Sequence, residues 1–286
     1  MSKDNLDNTD VVDETTEKRG NNASTLAFIY DLDGTLVDGY LYNQCFDKLL
    51  NLDLSAEWPS IVEKSIEFDA IPNMYFTYKL ICALKQKVVE TGKSLGEIYD
   101  ECVKNVRYFK GVETWFDNIN AFAKEHNVEI QHHIVSAGDK ELISRISIAP
   151  FIQRIYGNTF IYENGVPIWP ANTITAVEKT EYIYRISKGK FAPYDISIYD
   201  KSNDDERNVT FENIVYFGDG ETDVPSMKLV KNKGGHSIAV YGEDKREIAQ
   251  KLADNNRVNY IAQADYRKGS ELYNYIRSLI ETAASK

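Results

Sequence analysis

Two aspartates stand two residues apart in Asp31-Leu32-Asp33-Gly34-Thr35, directly after an apolar run. Carboxylates so spaced need not share a face once the chain turns. One can then be an ionised nucleophile while the other is held protonated as an acid. Gly34 would let the backbone approach a ligand closely. A second acidic pair, Asp219 and Asp223, lies in Gly218-Asp219-Gly220-Glu221-Thr222-Asp223, again just past an apolar run. If folding gathers these four carboxylates, their charge is unfavourable without a cation. A hard, oxygen-preferring ion, Mg²⁺ first, is the natural partner, and it would polarise a phosphoryl group. The plain structural alternatives are a turn or helix cap for Asp31 and Asp33, and a helix N-terminal acid for Asp223.

The elements that must position these residues are legible as alternation. Leu26 to Tyr30 reads as a buried parallel strand that ends at Asp31. A helix over about 112–126 leads to a strand over about 128–135 and then Ser136-Ala137-Gly138, with a helix over about 139–147 behind it. Residues 160–169 read as a hairpin turning at Asn164-Gly165, and a helix follows over about 175–187. Residues 188–213 are polar and irregular, a surface excursion. Ile214 to Phe217 is a strand, and further strands near 237–240 and 258–261 alternate with helices near 244–253 and 270–282. Such alternation argues a doubly wound α/β domain. In open parallel sheets, sites lie beyond the carboxyl ends of the strands, so the tips at Asp31, Ser136 and Asp219 should meet. Residues 40–107 are helical in spacing and contain no convincing strand, so they form an insertion after the first strand, with Pro59 and Pro72 separating helices.

The remaining composition narrows the class of function. Net charge is −11, which disfavours bulk binding to nucleic acid or anionic lipid but leaves room for a local cationic pocket for a small anion. The three cysteines, Cys45, Cys82 and Cys102, are too few for a disulfide framework and read as free thiols in a reducing compartment, hence a cytoplasmic location. No apolar run is long enough to span a bilayer, and residues 1–25 show no secretory signal. Residues 1–24 hold little to bury and read as a disordered tail.

The ordered motifs resemble the haloacid dehalogenase-like superfamily, in its phosphatase branch. The first motif is the strand with Asp31-Leu32-Asp33-Gly34-Thr35, the second is Ile134-Val135-Ser136, and the fourth is Gly218-Asp219 followed by Asp223. Lys179 fits best as the third-motif lysine near the start of a later helix, with Lys188 and Lys190 as fallbacks. The resemblance implies an α/β fold with a Rossmann-like doubly wound parallel sheet core (25–39 and 108–286) and an inserted α-helical cap domain (40–107). It implies that Asp31 is the nucleophile that forms an aspartyl-phosphate, and that Asp33 protonates the leaving alcohol and then activates water. It further implies Mg²⁺ ligands from Asp31, Asp219 and the Asp33 carbonyl, with Asp223 in an outer role. Thr35, Ser136 and Lys179 would bind the phosphoryl oxygens. An acid at Asp33 favours a phosphatase or phosphotransferase over a dehalogenase.

The expected function is Mg-dependent hydrolysis of a small phosphorylated metabolite. A phosphotransferase or mutase of the same fold is the alternative, and a non-catalytic binding relative is a third. Ser136 could instead be a plain N-cap and Lys179 a solvated lysine. Adjacent strand residues point to opposite faces, so His132-His133 is no metal pair. Nothing in 40–107 spells a side-chain code for one substrate, and no motif sets an oligomeric state.

Overall fold

The computed structural model describes residues 24–50, 54–201, 203 and 206–285. The tail expected over 1–24 lies outside the described residues except for Ser24, which opens the first strand. Strand β1, Ser24–Tyr30, is buried along almost its whole length, as a central parallel strand must be. It pairs in parallel with β2 (Val128–Asp139) on one side and β5 (Ile214–Gly218) on the other. Adding β3 (Arg154–Glu163), β4 (Val166–Asn172), β6 (His236–Tyr241) and β7 (Tyr260–Gln263) gives a seven-stranded sheet in the order β4-β3-β2-β1-β5-β6-β7. Only the β3–β4 pair is antiparallel. Its turn is Asn164-Gly165, both at positive φ (52° and 75°), the geometry that suits a two-residue hairpin loop.

Period-two alternation along β1 divides the core. Leu26, Phe28 and Tyr30 pack on one face against α5 (Val112–Glu125) and α10 (Glu271–Ala284). Ala27 and Ile29 face the other side with α7 (Lys179–Lys188), α8 (Val224–Asn232) and α9 (Arg246–Asp254). Helices on both faces of a parallel sheet make a doubly wound α/β fold.

Among the described residues, four α-helices lie between β1 and α5: α1 (Leu41–Leu49), α2 (Leu54–Glu67), α3 (Pro72–Thr91) and α4 (Leu95–Cys102). Local chemistry separates them. Pro72 opens α3 at its first turn, Gly92 ends it in the left-handed region, and Ser94 with Glu97 forms a capping box for α4. Pro59 does not separate helices. It lies inside α2, which tolerates the one hydrogen bond the ring removes. Leu80, Ile81, Leu84, Leu95, Ile98 and Tyr99 of this helical layer share one apolar core with the sheet face of Leu26 and Phe28.

Two boundaries differ from the sequence expectation. Strand β2 runs on to Asp139, because the backbone past Ser136 resumes pairing with β3 at Asn158 after a register shift. The following α6 is only Lys140–Ile143; Asp139 caps its start by accepting from the amides of Glu141 and Leu142, and past Ser144 the chain turns instead of continuing the helix. The helix expected from 175 starts at Lys179. The Thr175 hydroxyl and amide instead bond the Glu178 carboxylate in the preceding turn.

Candidate active site

The tips of β2, β1 and β5 are adjacent in the sheet, and the residues beyond them are held by backbone hydrogen bonds. The Asp31 amide donates to the Phe217 carbonyl at 2.9 Å, which locks the β1 tip to β5. Past Asp31 the chain coils tightly. The amides of Thr35, Leu36 and Val37 all reach the Leu32 carbonyl, and the Gly34 amide reaches the carbonyls of Val37 and Gly39. Gly34 sits at φ +72°, and a Cβ there would come within 2.2 Å of Asp219 Oδ2. Glycine at this position is thus what lets the two acidic tips close on each other.

Lys179, at the first turn of α7, reaches into the gap between the tips. Its Nζ donates to Asp31 Oδ1 at 2.7 Å and to Asp223 Oδ1 at 2.8 Å, with the Lys179 side chain only 3% exposed. Burial would lower this ammonium, but Asp223 and Asp31 outweigh it and hold the group well above its ordinary value. Burial pushes Asp31 well up from the carboxylate range; Lys179 opposes that, while Asp223 and Asp219 add to it. Asp219 is pushed up to about 6 by burial and by Asp223. One ligand atom from each of Asp31, Asp219 and Asp223 lies within 4.8 Å of the others. Three hard oxygen donors gathered beside a single buried ammonium fit a small divalent cation such as Mg²⁺.

Asp33 points elsewhere. Its Oδ1 accepts from the Leu41 amide, the first of α1, at 2.7 Å. Burial raises it to about 6, against the pull of that amide and of Lys179. The two carboxyls of the first motif therefore sit in different environments, one inside an ion cluster and one capped by a helix amide.

Of the other sequence candidates, Thr35 is wholly buried, and its Oγ1 has no hydrogen-bond partner among the described residues. Ser136 Oγ accepts from the Gly138 amide at 3.0 Å and bends its own loop. Neither hydroxyl hydrogen-bonds the carboxylate cluster among the described residues. Lys188 is far from a site role. Its Nζ donates to the carbonyls of Ile198 and Asp200, tying down the excursion after α7. Lys190 is exposed. His132 and His133 face opposite sides of the sheet. His132 is satisfied by Tyr30 and Asn120, while His133 stacks on Phe191.

Sequence reasoning passed over several partners. Tyr216, buried within β5, donates to Asp223 Oδ1 at 2.7 Å; a lone phenol in an otherwise apolar strand was the only available signal. Lys245, at the start of α9, approaches Asp219 Oδ2 to 3.9 Å. Asp139 accepts from the Tyr99 hydroxyl of α4 within a buried contact, which joins the helical layer to the β2 tip. That carboxyl is raised to about 6 by burial. These groups come from distant parts of the chain and carry no spacing to read.

No family model matches the chain. It is 28% identical over 283 residues to an uncharacterized protein of Borreliella burgdorferi, covering 89% of this chain and 96% of that one. Among solved structures it superposes on a HAD-family hydrolase from Salmonella enterica serovar Typhi with a TM-score of 0.55 at 15% identity, covering 85% of this chain and 68% of that one. A phosphoserine phosphatase captured as an analogue of its phospho-aspartyl intermediate gives 0.51 at 16% identity, covering 89% and 99%. No helix among the described residues is long and apolar enough to cross a membrane. With its seven-stranded, mostly parallel sheet, helices on both faces and these neighbours, the chain has the Rossmann-like α/β fold of the haloacid dehalogenase-like hydrolases.

Proposed function

We propose that this protein is a Mg²⁺-dependent phosphatase that hydrolyses a small phosphate monoester through an aspartyl-phosphate. The observation that carries this reading is the largely buried cluster of Asp31, Lys179, Asp219 and Asp223, with a second, separately held carboxyl at Asp33. Asp31 attacks phosphorus and the ester oxygen departs. Asp33 gives that oxygen its proton, then takes a proton from the water that hydrolyses the aspartyl-phosphate. A carboxyl raised to about 6 by burial remains partly protonated near neutrality, which suits it to both duties. Lys179 fixes the Asp31 carboxylate and offsets charge that builds on the transferring group. Asp31 and Asp219 would hold Mg²⁺, with the Asp33 carbonyl as a further ligand and Asp223 as an outer partner; when bound, the ion neutralises phosphoryl charge. The unpaired Thr35 hydroxyl and the Ser136 hydroxyl are the proposed phosphoryl contacts.

The helical layer 40–107 is proposed to act as a cap over this site. Support comes from α1, whose first amide holds Asp33, and from Tyr99 of α4, whose hydroxyl bonds Asp139 at the β2 tip. The fold neighbours include phosphoserine phosphatases, which is consistent with a small phosphorylated metabolite as the substrate class. A cytoplasmic location is part of the same proposal and rests on the unpaired cysteines.

The test is hydrolysis of an aryl phosphate with Mg²⁺, with EDTA, and by the Asp31→Asn variant. Activity is expected only for the wild-type chain with the ion present. Turnover that survives both EDTA and Asp31→Asn would overturn the mechanism.

A further inference from the structure

Cys45 on α1 and Cys102, the last residue of α4, are 57 positions apart and take no part in the chemistry above. The fold nevertheless brings them together. The Cys45 thiol donates to the Cys102 carbonyl at 3.5 Å, and the two side chains lie close enough to perturb each other electrostatically. Both line a cavity of about 760 Å³ whose walls include Tyr40, Gln44, Glu101 and Arg107. Cys102 is half-buried on that cavity, whereas Cys45, which also lines it, is only 3% exposed. Their proximity makes the pair unequal. It holds the Cys102 thiol below its ordinary value and pushes the Cys45 thiol up. The more accessible thiol, Cys102, is the one a solute in the cavity meets first, and the deeper one is placed to attack it in a second step.

We propose that Cys45 and Cys102 form an oxidation-sensitive pair that closes to an intramolecular disulfide when a hydroperoxide enters this cavity. The Cys102 thiolate attacks the terminal peroxide oxygen, the O–O bond breaks, and hydroxide (from hydrogen peroxide) or an alkoxide (from an organic hydroperoxide) leaves, giving a sulfenic acid. The Cys45 sulfur then attacks the Cys102 sulfur. The S–O bond breaks, the departing hydroxide takes the Cys45 proton as water, and the S–S bond forms. The two sulfurs together give up two electrons, and these reduce the peroxide to the level of water. The resulting bond would staple α1 to the end of α4, close to both ends of the helical layer. Gln44 already bridges those ends, donating to the carbonyls of Asp38 and Arg107 and accepting from the Arg107 amide. A covalent tie there would fix the helical layer on its two connections to the sheet.

The experiment uses the full chain carrying Cys82→Ser, which removes the exposed third thiol and leaves two. After treatment with hydrogen peroxide and denaturation, both thiols should be lost to titration, and dithiothreitol should restore them. Peptide mapping should recover a Cys45–Cys102 link from monomeric protein, and the oxidised form should melt at a higher temperature than the reduced one. Adding Cys45→Ser should leave Cys102 trapped as a sulfenic acid that reacts with dimedone. The proposal is overturned if both thiols survive peroxide, if the only link recovered is between two chains, or if Cys102 accumulates as the sulfenic acid while Cys45 is present. None of these readouts depends on phosphatase activity.

Discussion

Replacing Lys179 with methionine tests the centre of the site. The side chain is 3% exposed and holds two carboxylates that are themselves 8% and 0% exposed. Methionine keeps most of the volume and removes the charge, so the loss is electrostatic and not a cavity effect. Breaking a buried ion pair by deleting one partner costs roughly 3–5 kcal/mol, because the remaining charge is left without compensation. That amounts to about two to three and a half decades in the folding equilibrium. The cost should depend on pH with a definite sign. Asp31 is already raised by burial, and Lys179 is the main group opposing that rise, so its carboxyl moves further up in the variant. The folded variant then binds a proton over a pH range in which the unfolded chain does not. Its deficit relative to wild type is largest at alkaline pH and shrinks as the pH falls from the variant's raised carboxyl value to the lower, though also raised, value of the wild type. Urea unfolding of both proteins at pH 8 and pH 5.5 measures this. Adding Asp31→Asn to Lys179→Met should recover part of the loss, since the amide carries no charge. A single variant within about 1 kcal/mol of wild type at pH 8, or an equal deficit at both pH values, would refute the reasoning, because the ion pairs would then contribute no more than a surface contact.

Other consequences are accessible to simple measurements. Tyr216→Phe removes a buried hydrogen bond to Asp223 and should cost about 1.5–3 kcal/mol in urea unfolding; no change would mean the phenol is not holding the carboxylate. Gly34→Ala places a Cβ 2.2 Å from Asp219 Oδ2 in the left-handed region, so weaker Mg²⁺ binding by titration calorimetry is expected, with a stability loss of order 1–3 kcal/mol. His133 is held neutral by burial, its pKa lowered to about 3. The unfolded chain binds this proton below about pH 6.5 and the folded chain does not, so stability should fall by up to roughly 1.4 kcal/mol per pH unit between those values. His133→Phe should flatten that share of the acid slope; parallel slopes in the two proteins would contradict it.

Much of this protein was legible because it rests on local chemistry. The apolar runs before Asp31, Ser136 and Asp219 gave the strands, and strand–helix alternation gave the doubly wound sheet, since a strand buried on both faces leaves an uninterrupted apolar signature. Asn164-Gly165 gave the hairpin for an equally local reason, its positive φ values. Boundaries fared worse where side chains competed with the backbone. The helix after β2 stopped at Ile143, short of the expected end, and β2 resumed pairing beyond Ser136.

By itself the sequence determined which residue types stand at the ends of which strands, because each motif is a few residues long and follows a recognisable run. Only the tertiary structure decided which charges share one environment. Lys179 ranks ahead of Lys188 and Lys190 in the sequence only by resemblance, and it is the one of the three that enters the carboxylate cluster, while Lys188 binds carbonyls of a surface segment. Asp31 and Asp33 are two residues apart, yet one is paired with an ammonium and the other with the first amide of α1. Cys45 and Cys102 meet across 57 residues with no motif to announce them. Electrostatic and hydrogen-bond energies depend on distance and burial in space, and the order of residues along a chain encodes neither until the chain is folded.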